Sequence, residues 1–176
     1  TVLSVLENRP HDSEIIVVHN GSYSDPYQLE DELLLVTENC DSDIELLNAG
    51  IQASQSSIVC LLCNGATVTD QHWADAALRE LDHDRMLAAV AVPSRTASLT
   101  SFGIRVGNQL GQPVLSRSQI ESKQSTDTTA PSLSCGFYRR QALERLGGWE
   151  AELSWDLAEI EMAMMVNDNK LRRGCV

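Results

Sequence analysis

The amino-acid sequence predicts an α/β fold, Rossmann-like, with a mostly parallel twisted sheet flanked by helices and a loop-rich excursion around residues 94–134. Three observations carry this expectation. Short runs such as Glu14–His19, Ile58–Leu62 and Met86–Val92 are nearly continuous in apolar residues, as strands buried on both faces are. Segments between them repeat apolar residues at helical spacing. The chain has 176 residues and is 43% hydrophobic, enough for one domain over residues 1–176 with a sizeable core.

Taken in order, Thr1–Asn8 places Val2, Leu3, Val5 and Leu6 at helical spacing and stops before Pro10. Glu14–His19 (EIIVVH) reads as a buried strand, broken by the turn residues Asn20-Gly21-Ser22. Leu33–Thr37 is a second short strand. Ser42-Asp43-Ile44-Glu45 fits a capping box that opens a helix with Ile44, Leu47 and Ile51 on one face. Ile58–Leu62 is the third strand. Asp70–Leu81 is a helix with Trp73, Ala77 and Leu81 along its apolar stripe, and Met86–Val92 is a fourth strand closed by Pro93.

From Ser94 to Ser134 serine and threonine become dense and periodicity fades; only Phe102–Val106 alternates, like an exposed strand in a hairpin insertion. Regular structure returns with a helix at Arg139–Leu146, stopped by Gly147-Gly148, and another from about Asp156 to Val166. Strands alternating with helices imply βαβ units with right-handed crossovers. The chain opens on a helix where the pattern puts a strand first, and it ends inside what reads as another strand. It therefore reads as a piece of a longer protein or a trimmed domain.

Charge and cysteine use narrow the function. Thirteen Lys and Arg against 25 Asp and Glu give a formal charge of -12, which repels phosphate backbones and anionic lipid, so nucleic-acid binding is not expected. No apolar run is long enough to cross a bilayer, and no signal-peptide pattern stands at the start; a cytoplasmic location is expected. The five cysteines read as free thiols of a reducing compartment. Cys60 and Cys63 form a C-x-x-C, but on a strand residues three apart point to opposite faces, so the pair reads as small apolar side chains.

In open parallel sheets, ligands sit beyond the carboxyl ends of the strands. Those ends here are His19-Asn20-Gly21-Ser22, Cys63-Asn64-Gly65 and the region of Ser94. Gly21 lets backbone approach a ligand closely, while Asn20 and Ser22 offer hydrogen bonds to a base or ribose. Absence of G-x-G-x-x-G and G-x-x-x-x-G-K stretches speaks against an unrelated dinucleotide or P-loop domain.

Ser4-Val5-Leu6, then Glu14-Ile15-Ile16-Val17-Val18-His19-Asn20-Gly21-Ser22-Tyr23-Ser24-Asp25, Leu47-Asn48-Ala49-Gly50-Ile51 and Gly136–Trp149 follow one another in a known order. With them, nearly the whole chain resembles the family 2 glycosyltransferases, which have the GT-A fold. The resemblance implies transfer of a sugar from a nucleotide-diphospho-sugar to a hydroxyl acceptor. It places His19, Asn20, Gly21, Ser22, Asn48 and Asn64 around the nucleotide. His19 stands where the family has an acidic residue facing the base, and a neutral imidazole can still hydrogen-bond a base.

At Leu61-Leu62-Cys63-Asn64-Gly65 the family carries its acidic metal motif, so Mg²⁺ or Mn²⁺ is implied by resemblance alone. Cys63 and Gly65 offer no hard oxygen and Asn64 one neutral carbonyl, while Asp70 lies too far along the chain. In Trp155-Asp156-Leu157-Ala158-Glu159-Ile160-Glu161-Met162 the family spacing puts Glu159 on the general-base position and Glu161 on the second acidic one, with Asp156 as the alternative. The same three acids equally suit a helix amino terminus, where the macrodipole favours them. Met165 stands in place of the family's basic residue.

Of the other polar and aromatic residues, Arg139-Arg140 read as surface ion pairs rather than phosphate ligands. Trp149 and Trp155 either line an acceptor cleft or cover core. His11, His72 and His83 have no metal spacing. Met162, Met164 and Met165 suit core or an interface, which leaves room for a homo-oligomer. The departures at the metal motif keep a second reading open: a degenerate member that serves as a binding or interaction module.

Overall fold

A computed structural model describes residues 1–21, 23, 25–63, 65–95, 100–109, 112–119, 130–168 and 172–175. The first elements are helix α1 (Val2–Glu7), strands β1 (Ile16–His19) and β2 (Leu34–Thr37), helix α2 (Asp43–Ala53) and strand β3 (Ile58–Leu62). They are followed by α3 (Asp75–His83), β4 (Leu87–Ala91), β5 (Pro93–Arg95), β6 (Thr100–Gln109) and β7 (Gln112–Gln119). The chain closes with β8 (Cys135–Arg139), α4 (Arg140–Leu146), α5 (Trp155–Asp168) and β9 (Arg172–Cys175).

The central sheet has the order β3-β8-β4-β9. β8 runs antiparallel to both β3 and β4, and β9 runs parallel to β4. The expected mostly parallel sheet is thus a mixed one: β3 and β4 share a direction, but β8 lies between them. β1 and β2 pair in parallel as a separate two-stranded sheet. The Glu14 carboxylate ties the start of β1 to the start of β3. Its Oε1 accepts the Ser56 hydroxyl (2.8 Å) and the backbone N–H groups of Gln55 (3.0 Å) and Ser56 (3.1 Å).

Alternation along the central strands divides the core in two. Val59, Leu61, Ala89 and Tyr138 face α2, α4 and α5, packing with Ile44, Ile51, Leu143, Ala158, Met162 and Val166. Ile58, Cys60, Val90, Cys135 and Phe137 face the other way, onto Ala74, Ala77 and Leu81 beside and along α3. The stripe expected for α3 therefore does face the core, although the helix starts at Asp75 and residues before it form turns.

Local signals were accurate where chemistry was local. Ser42 caps α2, its hydroxyl accepting the Glu45 N–H at 3.3 Å. α4 ends on Gly147 at φ 83°, with Gly147 N–H and Gly148 N–H bonded back to Glu144 and Leu143. The 94–134 excursion is more regular than expected. It holds the antiparallel sheet β5-β6-β7, and Ile104, in the run expected to be exposed, is 1% accessible and part of the α5-side core. A bulge between Ser101 and Ile104 interrupts the ladder there, and Gly103 at φ 53° takes the left-handed conformation.

Candidate functional site

The carboxyl end of β1 is built on His19 and Gly21. Gly21, at φ 89°, turns its N–H back onto His19 Nδ1 at 3.0 Å. Nδ1 therefore carries the lone pair, and in the neutral ring Nε2–H donates to Thr37 Oγ1 at 3.2 Å, closing the ends of β1 and β2 together. Both ring nitrogens are engaged by the protein. In this arrangement the imidazole holds the two strand ends together. The Tyr23 ring lies tilted against the imidazole at 5.5 Å. Beyond it the Asp25 carboxylate accepts the N–H groups of Tyr27 and Leu29, fixing the turn. Asn20 and Gly21 are exposed; Ser22 lies outside the described residues.

The carboxyl end of β3 is a crossing point of distant segments. Cys63 donates its N–H to the Ser134 carbonyl at 3.1 Å and its thiol to the Leu133 carbonyl at 3.6 Å. From the other side α1 reaches over. Thr1 Oγ1 donates to the Cys63 carbonyl (3.5 Å) and accepts the Gly65 N–H (2.9 Å), and Ser4 Oγ accepts the Val68 N–H (3.1 Å). Asn8 continues the seam, bonding the Val68 carbonyl through Nδ2 at 3.4 Å and accepting Trp73 Nε1–H at 3.1 Å. Asn64 lies outside the described residues.

Glu159 joins this crossing from α5. It is 1% accessible, and its Oε1 accepts the Ser132 hydroxyl at 2.6 Å and the Leu133 N–H at 3.0 Å. Ser132 Oγ in turn accepts the Ser134 N–H at 3.1 Å. The position expected to supply a base thus braces the turn on which Cys63 rests. Tyr138, fully buried below, donates its hydroxyl to the Pro131 carbonyl at 3.2 Å. Burial, with the Glu159 charge nearby, pushes its phenol well above the ordinary range.

Cys63 and Glu159 meet through the 132–134 turn, which bonds to both. The other two acids of α5 differ from Glu159: Asp156 is exposed in the first turn, and half-buried Glu161 has an Oε2 atom shielded from solvent without a hydrogen-bond partner. Asn48 serves the fold. Its Nδ2 donates to the Trp149 carbonyl at 2.8 Å and its Oδ1 accepts the Trp149 N–H at 3.2 Å. Trp149 itself is 4% accessible and belongs to the core, as does part of Trp155.

The arginine pair is also structural, though not as surface ion pairs alone. Arg139 donates to the carbonyls of Leu87 (2.8 Å), Leu81 and Asp84 (3.4 Å), capping the end of α3. Arg140 reaches the Ser54 carbonyl at the end of α2 and pairs with Glu144 at 3.0 Å. These carbonyl contacts join residues more than fifty positions apart, and no local pattern announces them. His11, His72 and His83 are exposed, as expected. Of the methionines, Met162 is buried and Met164 is 50% accessible. A surface depression of about 520 Å³ is lined by Ala76, Arg79, Glu80 and His83 of α3 and includes none of these candidates.

Mg²⁺ or Mn²⁺, implied by resemblance, finds a poor donor set at β3. Burial pushes the Cys63 thiol up to about 11, and sulfur is a soft donor where these cations take hard oxygens. Among the described residues no three His, Cys, Asp or Glu side chains converge as a cation site. The four described cysteine side chains that are free, Cys40, Cys60, Cys63 and Cys135, form no disulfide. Among the described residues no helix is long and apolar enough to cross a membrane.

No protein-family model matches the chain, and no curated protein matches its sequence. Solved structures do. Over 99% of its length the chain is similar to a mannosyltransferase from Pyrobaculum calidifontis in complex with GDP-Man and Mn²⁺, with TM-score 0.67 and 16% identity. It spans 49% of that chain, about half its length. It is also similar, over 99% of its length and 77% of the other chain, to a CMP:2-keto-3-deoxy-manno-octonic acid synthetase complexed with CTP, with TM-score 0.56 and 14% identity. The fold is accordingly the GT-A-like α/β fold that nucleotide-sugar glycosyltransferases share with sugar nucleotidyltransferases.

Proposed function

We propose that this domain is a glycosyltransferase of the family 2 type, which binds a nucleotide-diphospho-sugar and transfers the sugar to a hydroxyl acceptor. The observation that carries the reading is the structural likeness over 99% of the chain to a mannosyltransferase solved with GDP-Man. The ordered E-I-I-V-V…N-G-S and G-x-x-R-R…G-G-W segments support it independently. The donor is assigned to the ends of β1 and β3, where the exposed Asn20-Gly21 backbone can approach it; the family resemblance adds Ser22 and Asn64. The base is assigned to the acids of α5. Within that trio Glu161 has an oxygen free of internal hydrogen bonds, Glu159 holds the family's base position, and Asp156 faces solvent.

Thermal unfolding against UDP, GDP, dTDP and CMP compounds and their sugars tests the reading. Ligand at about a hundred times its dissociation constant adds about 2.7 kcal/mol, which raises the midpoint by roughly 5–10 °C. A panel without any shift would defeat it. A second reading, a domain that keeps the fold as a binding module without catalysis, is favoured by the internal hydrogen bonds of His19, Asn48 and Glu159. Sugar transfer by the purified domain, abolished by Glu161→Gln or Glu159→Gln without loss of nucleotide binding, decides against that alternative.

A further inference from the structure

We infer that the carboxyl end of β3 takes no divalent cation, so that a nucleotide sugar held by this domain is held without one. The inference rests on the nucleotide-sugar reading above and deepens it. A cation that bridges a diphosphate requires hard, preferably anionic, oxygens from the protein. The neighbouring mannosyltransferase fold was solved with Mn²⁺, so the expectation from fold alone runs the other way.

Among the described residues, each group at this strand end is either the wrong chemistry or already bonded. The Cys63 thiol is a hydrogen-bond donor to Leu133 at 3.6 Å. The Cys63 carbonyl accepts the Ala66 N–H at 3.1 Å and the Thr1 hydroxyl at 3.5 Å. Gly65 has no side chain, and its N–H bonds Thr1 Oγ1 at 2.9 Å. Asn64 brings at most a neutral amide, wherever it points.

Two carboxylates are near enough for their charge to raise the Cys63 thiol further, Glu159 and Asp43. Glu159 is buried, with its Oε1 closed by Ser132 and Leu133. Asp43 lies in the first turn of α2 with Glu45, at the amino end of that helix, where the macrodipole favours both acids. The seam from α1 holds the segment in place, so moving a carboxylate in means breaking bonds from Thr1 and Ser4.

The experiment is a titration of Mn²⁺ alone into ¹⁵N-labelled protein, followed by nucleotide-sugar binding in Mn²⁺ and in EDTA. Amides of Leu62, Cys63 and Gly65 are expected to keep their intensity at substoichiometric Mn²⁺, even if acids elsewhere on this acidic surface broaden. Donor affinity is expected to change by less than about twofold between the two conditions. Selective broadening at those amides, or an affinity that falls more than about tenfold in EDTA, overturns the inference and leaves the proposed function standing. Unbroadened amides with no nucleotide sugar bound in either condition uphold the cation statement and defeat the proposed function instead.

Discussion

At the carboxyl end of β1 the hydrogen bonds are short in sequence: Gly21 to His19, two residues apart, and His19 to Thr37, eighteen apart. They shape a turn and leave the backbone of Asn20 and Gly21 on the surface. At the carboxyl end of β3 they are long: Cys63 to Leu133, seventy residues apart, Thr1 to Cys63, sixty-two apart, and Ser132 to Glu159, twenty-seven apart. There, four separated parts of the chain meet and hold one another. The difference teaches that one strand end is an exposed turn closed by local bonds, while the other, where the resemblance puts a metal motif, is a joint of the scaffold.

The largest test of this contrast is Glu159→Ala. The change leaves the Leu133 N–H and the Ser132 hydroxyl without their acceptor and opens a cavity under the 131–134 turn. We expect a loss of about 3 kcal/mol, or roughly 6–12 °C in the midpoint. Glu159→Gln keeps a carbonyl acceptor and is expected to lose about 1 kcal/mol. Asp156→Ala, at an exposed position, should stay within about 0.5 kcal/mol. Urea unfolding of the three variants checks the series. Equal stability of Glu159→Ala and Asp156→Ala would show that β3's end is not braced from α5.

Two glycines sharpen the comparison at smaller cost. Gly21 and Gly65 stand just past β1 and β3 at φ 89° and 92°, and a Cβ on either meets little: Thr37 Cγ2 at 3.8 Å for Gly21 and nothing within 4 Å for Gly65. Alanine at each should therefore destabilise by a similar amount, about 1 kcal/mol, from backbone strain alone. The functional effects are expected to part. Gly21→Ala should weaken nucleotide binding several-fold, because backbone there can no longer close on a ligand, and Gly65→Ala should leave it within about twofold. Binding isotherms of both variants decide; a loss for Gly65→Ala as large as for Gly21→Ala would show that the braced β3 end approaches the donor as closely as the β1 end does.

Much of this architecture was legible because its signals are local. Ile58–Leu62 is a strand over the very span its apolar run suggested, Ser42 caps its helix, and Gly147 ends α4. The placement of β8 was not legible. Cys135–Arg139 has alternation and aromatic residues, but its tail, Arg139, read as the start of a helix, and nothing local says that the strand slots antiparallel between β3 and β4. Ile104 was hidden for a similar reason: Phe102–Val106 alternates as an exposed strand does, and the burial of Ile104 is decided by contact with α5. At the candidate site the family resemblance assigns Asn48 to the nucleotide and Glu159 to the base, while the groups they bond within the fold lie 101 and 26 residues away. Such distances separate a ligand-binding amide from a structural one, and a sequence pattern does not contain them.

The smallest expected effect is a pH dependence with opposite sources near the two strands. Beside β1, burial raises the Glu14 carboxyl, but the hydrogen bonds from Ser56 and from the Gln55 and Ser56 N–H groups outweigh it and hold the group below its ordinary value. A depressed carboxyl stabilises the fold above the unfolded value and loses that contribution as pH falls through the folded one. At β3 the sign reverses. Burial lifts Cys63 from 9.0 to about 11, so unfolded protein releases the thiol proton first, and stability falls as pH rises across that interval. Cys135, on the paired strand, is lifted over the same interval by burial. Unfolding midpoints should therefore decline on both sides of neutrality. Cys63→Ala should flatten only the alkaline limb and Glu14→Gln only the acid limb, both by small amounts because each group is partly in contact with solvent. If Cys63→Ala leaves the alkaline slope unchanged, the thiol is not held as a buried donor, and the contrast between an open β1 end and a braced β3 end loses its chemical basis.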